Sequence, residues 1–226
     1  MKTKKKQHLS RKRILIVDDH ELLRQGLAQV INSEPDLVVC GEAATAPQGF
    51  AAATNCRPDA AIVDISLDDG NGMELIKDLR AQFPKLPVLV LSMHDETLYA
   101  ERALRAGARG YVMKREPTET MLAALRKALA GDYAVSRTIA RQFIGKQVGG
   151  ARKASSSPIG GLTDREVEVF ELLGQGQSTR QIAKRLHLSM KTISAHRQNI
   201  KTKLKLDNAS ALVRHAVRWA ATEHVE

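Results

Sequence analysis

Aromatic residues make up only 4% of this chain, with a single Trp, and cysteine occurs twice, at Cys40 and Cys56. So few aromatics leave little to line a large apolar pocket around a small ligand. Two cysteines without metal-ligand spacing exclude a disulfide-framed scaffold and a zinc ribbon. Reduced core thiols in a cytoplasm are the economical reading, favoured over a disulfide between them. No apolar run approaches the roughly 18 residues that a membrane helix needs, so no membrane association is expected. Ile14-Leu15-Ile16-Val17 follows N-terminal lysines, but it is too short for the apolar part of an export signal and ends on Asp18 and Asp19. A cytoplasmic location is therefore expected.

What is present is a globular composition, 43% hydrophobic and 27% charged over 226 residues, enough for two modest domains. The net charge of +10 is unevenly placed. Residues 1–13 carry seven Lys or Arg and no acid; residues 14–140 carry 13 basic and 18 acidic groups, a balance of −5; residues 141–226 carry 15 and 7, a balance of +8. An acidic body joined to a basic last third points to a polyanionic partner for the latter, because phosphate neutralisation releases counterions.

From Ile14 onward short apolar runs alternate with helical patterns, which predicts a parallel sheet with helices on both faces. The strands read as Arg13–Asp19, Leu37–Ala43, Ala60–Leu67, Pro87–Met93 and Arg109–Lys114. Leu22, Leu23, Leu27, Val30 and Ile31 have helical spacing, as do Met73, Leu75, Ile76 and Leu79, and a fifth helix is predicted over Thr118–Ala130, stopping near Gly131. Gly149, Gly150, Ser155 to Pro158, Gly160 and Gly161 mark a linker, with a short helix predicted over Ser136–Gln147 before it. Beyond the linker only helices are predicted, over Thr163–Leu173, Thr179–Leu186, Met190–Lys203 and Asn208–Ala220.

In a doubly wound sheet of order 2-1-3-4-5 the functional groups gather at the carboxyl ends of the strands. Asp18 and Asp19 end the first strand and Asp64 lies near the end of the third, so the three are neighbours. Carboxylates 4 Å apart repel by about 4 kcal/mol per pair at an effective dielectric near 20, so ionising all of them calls for a cation. Oxygen donors with open positions suit Mg2+, which favours carboxylates together with a substrate phosphate. Ser92 and Lys114, at the ends of the fourth and fifth strands, would hold phosphoryl oxygens while Asp64 attacks in line. The metal set would be Asp18, Asp19, Asp64 and the main-chain carbonyl of Ser66.

Residues 13–131 resemble the receiver domain of the response-regulator family. The resemblance rests on Val17-Asp18-Asp19-His20, Ile62-Val63-Asp64-Ile65 with Gly72 beyond, Leu91-Ser92-Met93, and Gly110-Tyr111 followed by Lys114. It implies a flavodoxin-like fold, with Asp64 as phosphoacceptor, Ser92 as switch hydroxyl and Tyr111 as the aromatic that turns inward when that hydroxyl moves to the phosphate. Two features depart from the family pattern. The loop after Asp64 has Asp68 where a proline is usual, then Asp69-Gly70-Asn71-Gly72, so it is more acidic than usual and Asp68 or Asp69 is expected to perturb Mg2+ affinity. Pro117 rather than residue 115 is the first proline after Lys114, which is ordinary in the NarL/FixJ branch.

Residues 161–222 resemble the LuxR-type helix-turn-helix of the NarL/FixJ subfamily. Thr163 with Glu166 reads as a capping box, Gln181 to Leu186 as the supporting helix, His187-Leu188-Ser189 as the turn, and Ser189 as the cap of the next helix. In that helix Ile193, Ile200 and Leu204 would pack inward. Lys191, Thr192, Ser194, Ala195, Gln198 and Lys201 are the candidates for major-groove contact, with Thr202 on the same polar stripe, Gln198 suited to adenine and the lysines to phosphate or guanine. His196 reads as packing or a phosphate contact. The last helix, with Ala209, Leu212, Val213, Ala216, Val217 and then Trp219, serves either as a dimer contact on DNA or as part of its own module's core.

The resemblance implies a basic arm (1–12), a receiver (13–131), a linker (132–160) and a DNA-binding domain (161–222). Together these would act as a phosphorylation-dependent, DNA-binding regulator of transcription in a bacterial two-component system, not an enzyme. Its implied partners are a cognate histidine kinase, double-stranded promoter DNA, RNA polymerase and a second copy of itself. Three rivals fit less well. A haloacid-dehalogenase-type phosphatase would place an Asp where Ser66 stands; an autoinducer-binding sensor would need an aromatic pocket; a phosphate-independent regulator would not need the full set of Asp18, Asp19, Asp64, Ser92 and Lys114.

Overall fold

Four successive residues of strand β1 (Lys12–Val17), Ile14 to Val17, have no solvent exposure, as expected of a strand covered on both faces. The computed structural model describes residues 11–67, 72–141 and 159–223. The chain divides into two units, Met1–Phe143 and Ile144–Glu226.

In the first unit β1 is followed by α1 (Glu21–Ser33), β2 (Leu37–Ala43), α2 (Ala46–Cys56), β3 (Ala60–Val63), α3 (Gly72–Gln82), β4 (Val88–Ser92), α4 (Glu96–Ala106), β5 (Gly110–Met113) and α5 (Thr118–Leu129). The strands form one parallel sheet of order β2-β1-β3-β4-β5, the flavodoxin-like arrangement expected. Ile14, Ile16, Ile62, Leu89 and Leu91 pack on one face against Leu27 and Ile31 of α1 and Met121, Leu122 and Leu125 of α5.

Strand β2 has the limits expected, whereas β1 ends two residues earlier and β3, β4 and β5 are shorter than the apolar runs suggested. Asp18, Asp19, Asp64 and Lys114 lie just past the strand ends, although the ladder extends to three of them through Asp18 N–H on the Ala43 carbonyl (3.0 Å), Asp64 N–H on Val17 (2.9 Å) and Lys114 N–H on Ser92 (2.7 Å). The backbone of those three is thus held by the sheet while their side chains leave it.

Three expectations are corrected at the edges. Arg11 donates to the carbonyls of Asn32 and Glu34 and Lys12 begins β1, so both belong to the folded unit and not to the arm; the earlier residues lie outside the description. Residues 132–141 do not start a linker, because Ala134 is buried and bridges to Gly110, and Ile139 is buried in a helical turn. The remainder of the helix expected to Gln147 is outside the described residues. Cys40 and Cys56 are not core residues but half-buried free thiols.

The second unit comprises α6 (Asp164–Gly174), α7 (Thr179–Arg185), α8 (Met190–Lys203) and α9 (Ala209–Glu223). Thr163 and Glu166 form the expected capping box, and Ser178 with Gln181 forms a second one that sequence reading passed over. Phe170, Val167, Ile182, Ile193, Ile200, Leu212 and Ala216 make the core. Leu212, Ala216 and Ala220 of α9 are buried in it, whereas Val217 is exposed, so this helix serves its own module on one face and leaves another face open. Among the described residues no helix is long and apolar enough to cross a membrane.

Candidate functional site

The carboxyl edge of the sheet brings together the acids expected there. Asp18 and Asp64 are each 2% exposed, and one ligand atom from each of Asp18, Asp19, His20 and Asp64 lies within 4.8 Å of the others. Lys114, its side chain 4% exposed, reaches in from the end of β5 and places Nζ 2.7 Å from Asp18 Oδ2 and 2.6 Å from Asp64 Oδ2. Burial pushes the ammonium toward losing its proton, but Asp64 and Asp18 more than reverse this and hold it above the ordinary lysine range. The lysine therefore bridges two buried carboxylates as a fixed cation.

The other carboxylate oxygens are engaged by main chain. Asp64 Oδ1 accepts from Ser66 N–H at 3.1 Å, and Asp18 Oδ1 accepts from His20 N–H at 2.9 Å. Gly72 explains how α3 comes so close: a Cβ there would lie 2.1 Å from the Asp64 carbonyl oxygen, a contact that only glycine avoids. His20, to which sequence reasoning gave no role, sets Nδ1 2.9 Å from Asp19 Oδ1 with its ring largely in solvent. Asp68 and Asp69, expected to influence the site, lie outside the described residues.

Ser92 is fully buried and its hydroxyl accepts the His94 N–H at 3.2 Å, while Tyr111, 3% exposed, donates its hydroxyl to the His94 carbonyl at 2.8 Å. The two residues expected to act as a switch thus hold opposite sides of one residue in the loop between β4 and α4. The His94 ring completes the link, because its Nε2 and Ser66 Oγ share a hydrogen bond of 2.6 Å and it stacks 4.4 Å from the Tyr99 ring. Nothing in the sequence announced this pair, since 28 residues separate Ser66 from His94.

In the second unit, α8 begins where Ser189 accepts the Thr192 N–H, and it runs over the expected Met190–Lys203. Ile193 and Ile200 are buried, and Leu204 follows half-buried. Lys191, Ser194, Ala195, Gln198 and Thr202 share the exposed side; Lys201 is half-buried. Thr192 is less available than expected, because its hydroxyl is 2.8 Å from that of Ser189 at the helix cap. His196 is half-buried, at the margin of the two faces.

Two contacts that sequence reasoning missed fix this helix. Arg197 donates to the Thr179 hydroxyl of α7. Lys203 Nζ lies 2.6 Å from Glu166 Oε2, on a side chain that is 3% exposed and also accepts the Thr163 N–H at 2.7 Å. Burial pushes the Glu166 carboxyl up, but the Lys203 ammonium and the Thr163 N–H outweigh it, so the carboxyl sits below the usual glutamate range.

Comparison with known proteins accounts for both units. The model of the response regulator receiver domain matches residues 14–126, and that of the luxR family of bacterial regulatory proteins matches residues 161–216. Oxygen regulatory protein NreC of Staphylococcus epidermidis is 31% identical over 211 residues, covering 91% of this chain and 97% of the relative. Among solved structures, a LuxR-family two-component response regulator from Aurantimonas sp. SI85-9A1 aligns with 32% identity and a TM-score of 0.57, over 62% of this chain and 99% of that one. RcsB from Salmonella enterica serovar Typhimurium, bound to the rprA promoter in the presence of the phosphomimetic BeF3-, aligns with 26% identity and a TM-score of 0.63, over 92% and 98%. The acidic pocket at the sheet edge, the capped helix-turn-helix and these matches place the chain in the NarL/FixJ group of two-component response regulators, DNA-binding regulators of transcription that join a receiver domain to a LuxR-type helix-turn-helix.

Proposed function

We propose that Asp64 is the phosphoacceptor, taking a phosphoryl group from the phosphohistidine of a cognate histidine kinase, and that the modified receiver controls promoter binding by α8. The observation that carries this is the buried Asp64 carboxylate, held 2.6 Å from Lys114 beside Asp18 and Asp19. The oxygen-rich donor set supports Mg2+ held by Asp18, Asp19, Asp64 and the Ser66 carbonyl. When bound, the ion would neutralise charge on the phosphoryl oxygens.

The chain's own residues supply the rest. A carboxylate oxygen of Asp64 attacks phosphorus, the P–N bond to the histidine breaks, and the leaving imidazole recovers a proton from solvent. Lys114 moves from the two carboxylates onto a phosphoryl oxygen, which is electrostatic stabilisation in a water-poor setting. Ser92 donates its hydroxyl to another phosphoryl oxygen and gives up the His94 N–H. Tyr111 already points inward, and its bond to the His94 carbonyl transmits that loss to the loop before α4. Such coupling shifts populations only because the phosphate favours one loop arrangement over the other.

At the other end, Lys191, Ser194, Ala195, Gln198 and Lys201 form the groove-reading surface, with Thr192 shaping the helix start. The exposed face of α9 supports pairing of two modules on adjacent half-sites, and the promoter complex of RcsB supports double-stranded DNA as the ligand. RNA polymerase and the cytoplasm complete the proposed setting. Asp64→Asn is the test. It is expected to abolish labelling by acetyl phosphate with Mg2+ while leaving the circular dichroism spectrum unchanged; labelling that persists at the wild-type level refutes the assignment.

A further inference from the structure

Away from the acidic pocket, the edge strand β2 and the last residue of α2 bring the chain's two cysteines together. Cys40 Sγ lies 3.0 Å from Cys56 Sγ, with the Cys40 thiol donating. Both are half-buried, so a small oxidant can reach them. The approach is specifically accommodated: Gly41, next to Cys40, leaves room that a Cβ would take, since that atom would sit 3.3 Å from Cys56 Sγ. The backbone carbonyl of Cys56 is in turn pinned by Arg13, whose Nε and a terminal nitrogen donate to it at 3.1 and 2.9 Å. The end of α2 is therefore anchored to β1 and does not swing away from Cys40.

We propose that Cys40 and Cys56 form a reversible intrachain disulfide when the protein meets a hydroperoxide, a modification site distinct from the phosphoacceptor. The sulfurs need to close by only about 1 Å to reach the bond length of about 2.05 Å. Burial and the neighbouring Cys56 push the Cys40 thiol up to about 12, and that thiol donates to Cys56 Sγ.

The thiolate of one cysteine attacks the distal oxygen of the hydroperoxide: the S–O bond forms, giving a sulfenic acid, the O–O bond breaks, and the displaced alkoxide or hydroxide takes a proton from solvent to leave as alcohol or water. The sulfur of the other cysteine then attacks the sulfenic sulfur: the S–S bond forms, the S–O bond breaks, and the attacking thiol's proton leaves with the hydroxide as water. One hydroperoxide is reduced by two electrons and two thiols are oxidised. A dithiol reverses the reaction by exchange.

The full chain, treated with hydrogen peroxide and then with iodoacetamide, tests this. Wild-type protein is expected to lose both alkylatable thiols together and about 2 Da in mass, to yield a linked Cys40–Cys56 peptide on digestion, and to recover both thiols with dithiothreitol. Neither Cys40→Ser nor Cys56→Ser is expected to give the linked peptide or the loss of about 2 Da. The wild-type measurement decides the matter even if a variant folds poorly. Two thiols that remain alkylatable, a gain of oxygen atoms without the linked peptide, or a disulfide joining two chains each overturns the proposal.

Discussion

Replacing Lys114 with Met removes the ammonium that bridges Asp18 and Asp64, and the consequence can be worked out from the geometry. At 2.6 to 2.7 Å and an effective dielectric near 20, each ammonium–carboxylate contact is worth roughly 6 kcal/mol before desolvation. Burying three charges consumes most of that sum. What the variant loses is not the net value of the bridge but the partner of two buried carboxylates, and the cost of leaving such charges uncompensated is about 3–5 kcal/mol. Urea unfolding of Lys114→Met in metal-free buffer at neutral pH, followed by far-ultraviolet circular dichroism, is expected to show a loss of about 3 kcal/mol.

A further readout separates this cause from lost packing. Millimolar Mg2+ is expected to stabilise the variant more than the wild type, because the ion no longer competes with an ammonium for the same oxygens; a hundredfold excess over Kd corresponds to about 2.7 kcal/mol. In the wild type the raised Lys114 value means that its contribution is complete below the ordinary lysine value of 10.5 and fades only as pH climbs above it. A variant within about 0.5 kcal/mol of wild type in metal-free buffer would refute the reasoning, since surface-like changes have effects of that size.

Other residues give independent checks. Lys203→Met is expected to destabilise the second unit by about 1–3 kcal/mol by stranding the buried Glu166, read from the unfolding of the single Trp219 by fluorescence. Because the Glu166 value is depressed, that stability is present above the ordinary glutamate value of 4.5 and is lost as pH falls below it, so wild type and variant should converge in acid. Gly72→Ala, whose Cβ would meet the Asp64 backbone, is expected to cost about 2–4 kcal/mol or to displace Asp64; unchanged melting and unchanged acetyl phosphate labelling would contradict the contact. Lys191→Ala is expected to weaken DNA binding on all sequences and reduce the salt slope by about one, whereas Gln198→Ala is expected to cost about 1–3 kcal/mol at one base position only, both measured by fluorescence anisotropy across a salt series.

Much of this was legible in the sequence because it is local. Four-residue apolar runs and helical spacing gave the strand and helix order, and the order of short segments ending in Asp18, Asp64, Ser92 and Lys114 was enough to place these groups on one edge. Met190–Lys203 was read to its limits since Ser189 and the Ile193/Ile200 spacing mark its start and buried face within the helix itself. The end of β3 was read too long, because hydrophobicity continues through Ile65 and Leu67 after the ladder has ended, and apolar content reports burial whether or not the backbone is paired.

Sequence by itself determined the chain's two-part organisation, its carboxylate pocket and its basic helical end, since each follows from patterns spanning at most a few dozen residues. Only the tertiary structure decided that Lys114 sits between Asp18 and Asp64, that Ser66 meets His94, that Lys203 neutralises Glu166 and that Cys40 faces Cys56. Those pairs are separated by between 16 and 96 residues, and their distances are set by sheet order and helix packing, which no local pattern of residue types encodes.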